Sequence, residues 1–420
     1  DTGTWASNWM SAIRVGYTRI FAYLPEMMQE EWWESAKQAL QDLYSSKMLN
    51  DDGSYMESTS SYINGTIEEF QLALELISAI DGPEDPYYQY ILERYQLLTK
   101  YYFDMAMNYG NTTPYGDGGR ADIITFSKNA NLFLPNAQFE FFATAGERGT
   151  EPDYTSILYP EKAIAFLRSD WHREGFSATI NADFGGNHCH YDDLALDVYA
   201  YDTPLLIDAG NSSYSAGSLM SATRKKTISH NTIEIDGRDQ AYAKENIPQK
   251  LELKTNRLFD FVDAGSNQIY DGFSVNRKVL FLHNSYWIVS DQIDAPEGAH
   301  TYRQAWHPDA YNGLSVDKET LAAQTNFGHK ANIQIVPADP ETLSYGIYQN
   351  YMYAGVEVNA DYLQYYRTDV TGPQTFDTVL YPNKVGETTE VAVERVALNV
   401  PTNTASALEI TMDSDTGYYY

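Results

Sequence analysis

Apolar residues recur at three-to-four spacing through the first third of the chain, then give way to short β-rich runs from about residue 163. Residues 5–24, 30–45, 66–80 and 85–108 each carry a helical apolar stripe, seen in Leu72, Ala73, Leu76, Ile77 and Ile80. Pro25, Gly53, the Asp81-Gly82-Pro83 turn and Gly110 punctuate these stretches. The pattern predicts a run of antiparallel helix hairpins. Later runs such as Ala163-Ile164-Ala165-Phe166-Leu167-Arg168, Lys278-Val279-Leu280-Phe281-Leu282 and Tyr286-Trp287-Ile288-Val289-Ser290 read as strands. Turn pairs such as Asp236-Gly237 and Asp271-Gly272 separate them. No helical crossover lies between the strands, so the sheet is expected to be antiparallel and folded into a sandwich. Residues 111–150, rich in Gly, Asn and Thr, read as a link between the two regions.

Composition narrows the classes. With 420 residues, 43% hydrophobic and 20% charged, the chain is globular and long enough for two domains or three. No apolar run approaches the roughly 20 residues of a bilayer span. Net charge is −30, from 58 acidic and 28 basic residues, which leaves no basic footprint for nucleic acid. The single cysteine, Cys189, excludes an internal disulfide framework and leaves the compartment open. The start at Asp1, with no initiator Met or signal pattern, reads as a processed or excised terminus. Thirty-five tyrosines suit a cleft that stacks sugar rings, although most of them serve equally well on sheet surfaces.

Only eight histidines are present, and three stand near acidic residues in the second region. In the stretch Gly186-Asn187-His188-Cys189-His190-Tyr191-Asp192-Asp193, an extended strand would put His188 and His190 on one face. The next apolar run ends in Asp208, and the following one carries His230. Two imidazoles and a carboxylate from neighbouring strands predict a nitrogen–oxygen metal site, with zinc the first occupant to expect. The other histidine of the pair is then free for chemistry. Asp192 and Asp193, adjacent on a strand, would face opposite ways and cannot flank one glycosidic bond.

Seven segments, taken in order, resemble a known family. They are Ser7-Asn8-Trp9; Asp52-Gly53-Ser54-Tyr55-Met56-Glu57 followed by Tyr62; Phe166-Leu167-Arg168-Ser169-Asp170-Trp171; the His188/His190 pair; Asp208-Ala209-Gly210; Ser229-His230-Asn231-Thr232; and Arg303-Gln304-Ala305-Trp306-His307. In this order the chain resembles the heparinase II/III-like polysaccharide lyases. The resemblance implies an α+β fold, a partial (α/α) toroid of helix hairpins followed by an antiparallel β-sandwich. Residues 1–145 would form the toroid part with the catalytic Asn and Tyr. Residues 146–340 would form the sandwich with the catalytic His and the zinc site, and residues 341–420 the closing strands or a small β-domain.

The implied reaction is β-elimination on a uronate polymer. The proton at C5 becomes acidic once the carboxylate is neutralised, a base removes it, and an acid protonates the departing C4 oxygen. Asn8, Tyr62 and His188 match the catalytic positions; His190, Asp208 and His230 match the ligands of a structural zinc. Arg14, Tyr214, Arg224 and His307 are expected to line the substrate. Asn8 also reads as a plain helix N-cap, and His307 as a packing residue at a sheet edge. Alginate is the expected polymer, with heparin or heparan sulfate and ulvan as runners-up; an inactive carbohydrate-binding relative and a metal-dependent hydrolase are the competing classes. No nucleic-acid partner or membrane span is expected. The lyase is expected outside the cytoplasm, secreted, periplasmic or on the cell surface. The helices before Asn8 are fewer than a toroid of this family has, so the missing part is expected as a separate chain or fragment that completes the cleft.

Overall fold

The computed structural model describes residues 7–45, 47–108, 110–183, 185, 187–211, 223–241, 250–353, 357–412 and 415–419. Four long helices open it: α1 (Asn8–Tyr23), α2 (Glu30–Tyr44), α3 (Ile63–Ile80) and α4 (Pro86–Asp104). They match the apolar stripes to within a few residues. α1 packs on α2 and α3, and α3 on α4. The caps are chemical. Ser7 accepts the Met10 amide, and Asp85 accepts the amides of Tyr87 and Tyr88 just before the N1 proline of α4. Ser7, and not Asn8, therefore caps α1.

The expectation of a plain link over residues 111–150 is corrected. That stretch holds α5 (Ile123–Phe133) and α6 (Ala137–Ala143), capped by Asp122 and Asn136. The short apolar set Ile123, Phe126 and Ala130 is buried against α4, which outweighs the turn-forming residues around it.

Strands follow. β1 (Ile157–Tyr159), β2 (Ile164–Arg168), β3 (Ser177–Asn181), β4 (Ala195–Ala200) and β5 (Thr203–Leu206) pair in chain order as an antiparallel sheet. β6 (Ile233–Ile235) comes next. After it run β7 (Lys250–Thr255), β8 (Phe259–Ser266), β9 (Ser274–Leu282), β10 (Tyr286–Asp294) and β11 (Ala299–Trp306). Then come the short β12 (Ser315–Val316) and β13 (Ala323–Gln324), with β14 (Ala331–Pro337), β15 (Ser344–Tyr353), β16 (Glu357–Thr371) and β17 (Gln374–Lys384). β18 (Val391–Arg395), β19 (Leu408–Met412) and β20 (Asp415–Tyr419) form a three-stranded sheet. The largest sheet runs β12-β13-β14-β17-β10-β9-β8-β7, and a third runs β15-β16-β11-β6. All described pairings are antiparallel.

Period-two alternation on β2 shows how the halves join. Ala163, Ala165 and Leu167 enter the core shared with the larger sheets, whereas Ile164 and Phe166 enter the helical core. The five-stranded sheet is thus buried on both faces, one against sheet and one against helices. Arg168, fully buried, donates to the carbonyls of Asp104, Ala106 and Thr155 and ties the end of α4 to the sheet. Among the described residues no helix is long and apolar enough to cross a membrane.

Candidate active site

The junction between helices and first sheet is built from four backbone segments. Ser58 donates its amide to the Asn187 carbonyl at 2.9 Å, and Asp117 donates its own to the His188 carbonyl at 2.9 Å. Thr59 bridges Gly116, and Asn211 donates its amide to the Gly118 carbonyl at 2.8 Å. Two glycines permit this. A Cβ on Gly116, whose φ is +54°, would lie 1.9 Å from the Ser58 carbonyl oxygen, and one on Gly118 would lie 2.1 Å from Ser60 Oγ.

His188 and His190 do not sit on a strand. They lie in the loop between β3 and β4, and His188 has φ +67°, left-handed backbone that breaks the alternation expected of an extended run. They converge by another route. His188 Nδ1 stands 2.9 Å from Asp117 Oδ2, and His190 Nε2 stands 3.0 Å from Asp117 Oδ1. Asn211 Nδ2 donates to Oδ1 at 3.3 Å, and Lys225 Nζ is 3.4 Å away. Burial alone would raise the Asp117 carboxyl; the two imidazole contacts and Lys225 hold it well below the usual carboxylate range.

Tyr62 occupies the N-cap position of α3, half-buried, and its ring lies against the His188 imidazole, centroids 4.7 Å apart. Asn8 is half-buried on the first residue of α1, the helix that packs on α3. Behind this pair, Glu57 accepts the Tyr55 hydroxyl at 2.8 Å, and burial pushes its carboxyl above the ordinary value. Lys162 is buried on Ser58 Oγ at 3.0 Å and ion-paired with Asp183.

Two of the three residues expected as ligands, His190 and His230, form a buried group with Asp192, and Asp208 meets that group through His230. His230 Nδ1 lies 2.6 Å from Asp208 Oδ2. The atoms of His190, Asp192 and His230 able to bind a metal lie within 4.8 Å of one another. His190 Nδ1, Asp192 Oδ1 and His230 Nε2 are buried without a hydrogen-bond partner. Asp192 was considered in the sequence only as half of a glycosidase pair; it lies before β4, beside these histidines. A small cavity of about 10 Å³ is lined in part by Asp192, Asp197 and Asp208, but by neither histidine. Burial, with the neighbouring Asp208 charge, pushes the carboxyls of Asp192 and Asp197 up. Two imidazole nitrogens and a carboxylate oxygen, buried without hydrogen-bond partners and close together, fit a divalent metal.

The substrate-lining expectations fare differently. Arg14 donates to the Ala39 carbonyl on α2, which gives it a helix-pinning contact. Arg224 is buried and donates to the Gly210 carbonyl at 3.4 Å. His307 is 2% exposed, stacks on Tyr362 at 4.4 Å and has Nε2 2.9 Å from the Ile228 carbonyl oxygen. Burial lowers its pKa to about 3, so it stays neutral and packs the segment bearing His230. Tyr214 lies outside the described residues. Asp117 was missed in the sequence; its one signal is an acid set among glycines, Gly116-Asp117-Gly118-Gly119.

Residues 176–364 match the family model described as Heparinase II/III-like, C-terminal. This match, together with two heparin-sulfate lyase relatives, supports the heparinase II/III-like superfamily for the chain. A heparin-sulfate lyase of Pedobacter heparinus is 21% identical over 330 residues, 76% of this chain and 49% of the relative. One from Bacteroides stercoris is 19% identical over 331 residues, 77% of this chain and 49% of the relative. The chain therefore spans about half the length of these heparinase relatives. Among solved structures, a heparan sulfate lyase from Pedobacter heparinus superposes with a TM-score of 0.84 at 18% identity, covering 97% of this chain and 64% of that one. A structure of heparinase III gives 0.84 at 15% identity, covering 100% of this chain and 67% of that one. These superpositions show the fold.

Proposed function

We propose that the chain is the catalytic part of a polysaccharide lyase acting on a heparin- or heparan-type uronate polymer by β-elimination. The observation that carries this reading is the Tyr62 phenol packed against the His188 imidazole where helices meet sheet. The likeness to this family supports the reaction class. The names of the relatives move the polymer from alginate, the first expectation, to heparin or heparan sulfate. Export or display at the cell surface belongs to the same proposal, because such a polymer does not cross a membrane unaided.

In this mechanism Asn8 and His188 neutralise the uronate carboxylate, so that charge developing at C5 is stabilised. Tyr62 and His188 are the proton-handling groups. The C5–H bond breaks towards the base, the C4–O bond breaks as the acid protonates the leaving oxygen, and a C4–C5 double bond remains. A zinc ion held by His190 and His230 with Asp208 and Asp192 would supply rigidity beneath the His188 loop. Helices outside this chain would complete the cleft. An exposed stripe on α1 supports that part: Trp9, Ile13, Tyr17 and Ile20, with Trp32 of α2 also exposed.

Incubation with heparan sulfate, heparin, alginate and ulvan tests the proposal. New reducing ends with the ultraviolet absorbance of a 4,5-unsaturated uronate are expected from heparan sulfate or heparin. Reducing ends without that absorbance would indicate hydrolysis and remove the lyase reading.

A further inference from the structure

One buried carboxylate touches both histidines of the His188–His190 pair, through different ring nitrogens. Asp117 is 2% exposed on its side chain and sends Oδ2 to His188 Nδ1 and Oδ1 to His190 Nε2. A carboxylate only accepts, so each nitrogen facing it carries the proton. In a neutral ring this makes His188 the Nδ1–H tautomer, with its lone pair on Nε2. The same contact makes a neutral His190 the Nε2–H tautomer with its lone pair on Nδ1, the buried atom without a hydrogen-bond partner beside Asp192 and His230.

The backbone reinforces the assignment. The Asp117 amide holds the His188 carbonyl at 2.9 Å, so one residue grips His188 by main chain and ring. Gly116 and Gly118 let the loop approach closely enough to do so. The Asn211 amide and the Lys225 ammonium add a neutral donor and a cation to Oδ1, the oxygen shared with His190.

We infer that Asp117 is a positioning residue that sets opposite tautomers on His188 and His190, presenting Nε2 of the first for proton handling and Nδ1 of the second to a metal ion. The role of His188 rests on the lyase reading; the tautomer pair does not. A structural-only carboxylate would hold the loop without dictating which nitrogen carries the proton. The design couples cleft to cluster, because displacing Asp117 releases both rings at once.

Imidazole ¹⁵N spectra of the whole chain at about pH 8, above the ordinary histidine range, test this. Signals are assigned by their loss in His188→Gln and His190→Gln. The expected result is an Nδ1–H signature for His188 and an Nε2–H signature for His190. Wild-type spectra with the opposite tautomer at either ring overturn the inference, whether or not any variant folds. In Asp117→Asn, zinc affinity is expected to fall about 10- to 100-fold, the range for lost outer-shell partners. On the polymer the wild type cleaves, kcat should fall at least about tenfold with KM nearly unchanged, and Asp117→Glu should recover part of it. Unchanged tautomers and unchanged zinc affinity in a folded Asp117→Asn chain also overturn it. If the wild type cleaves no uronate polymer while the tautomer pair is found, the proposed function fails and the positioning role stands.

Discussion

Arg277 on β9 donates Nη1 to the carbonyl of Asn231, the residue after His230, at 2.5 Å. The same nitrogen donates to the Leu194 carbonyl at 2.6 Å, two residues past Asp192. Nε and Nη2 pair with the buried Asp291 carboxylate at 2.6 and 2.8 Å. A single guanidinium of the largest sheet thus fixes two of the segments that carry the metal-binding candidates. Arg277→Ala leaves Asp291 buried without its cation, so a loss of about 3–5 kcal/mol is expected in denaturant unfolding. Metal content should fall with it. A variant of wild-type stability would show that Asp291 finds its partners elsewhere.

Tyr62 can be separated from the fold. Its ring is half-buried at the cleft, and its carbonyl, which accepts the Thr66 amide at 3.1 Å, survives any side-chain change. Tyr62→Phe keeps the ring on His188 and removes only the hydroxyl. Turnover on the responsive polymer should drop by about 10²–10⁴, the usual worth of a positioned proton donor or base. The melting temperature should hold. Near-normal turnover in the variant would take Tyr62 out of the chemistry.

The metal cluster can be dissected ligand by ligand. His190→Ala should lower metal content and thermal stability together, and chelation of the wild-type protein should lower its melting temperature in the same way. Asp192→Asn and Asp208→Asn distinguish the carboxylates. If Asp208 acts mainly by holding His230 Nδ1, its loss weakens binding about 10- to 100-fold, whereas loss of a direct ligand weakens it further. Metal titration into each variant reads the difference. A stable, metal-replete His190→Ala protein would contradict a ligand role for that residue.

How much of this was legible beforehand follows from which signals are local. The helical stripes and caps are local, and α1 to α4 stand close to where periodicity puts them. α5 is eleven residues long inside a polar, glycine-bearing stretch, so composition masked a short buried face. The histidine pair was found for an incorrect reason. Alternation along a strand would align the two rings, but here a left-handed residue and a carboxylate from 71 residues upstream do so. Asp117 was invisible because its function depends on a long-range approach, and an acid between glycines looks like any turn. Asp192 was discounted by the same strand geometry that the loop does not obey.

Acid and alkaline stability depend in part on Lys37. Its ammonium is buried on α2 and pairs with Glu34 at 2.8 Å, Asp81 at 2.7 Å and Asp85 at 2.9 Å. Asp85 is also the N-cap of α4. Burial opposes both charges, yet the hydrogen bonds prevail: Lys37 is held above its ordinary value, and Asp85 below its own by Lys37 and the amides of Tyr88 and Tyr87. The signs then follow by linkage. Asp85 contributes stability that is complete above the unfolded carboxylate value of about 3.9 and is lost as pH falls through its lower folded value. Lys37 contributes stability that is complete below about 10.4 and is lost as pH rises through its higher folded value. Asp85→Asn keeps a capping oxygen and removes the charge, so urea unfolding across pH should show a flatter acid limb than wild type. Asp85→Ala removes the cap as well and should cost about 1 kcal/mol more at neutral pH. Acid limbs of equal slope in wild type and Asp85→Asn would mean that this carboxylate titrates alike in folded and unfolded chains, and the pairing with Lys37 would contribute nothing to stability.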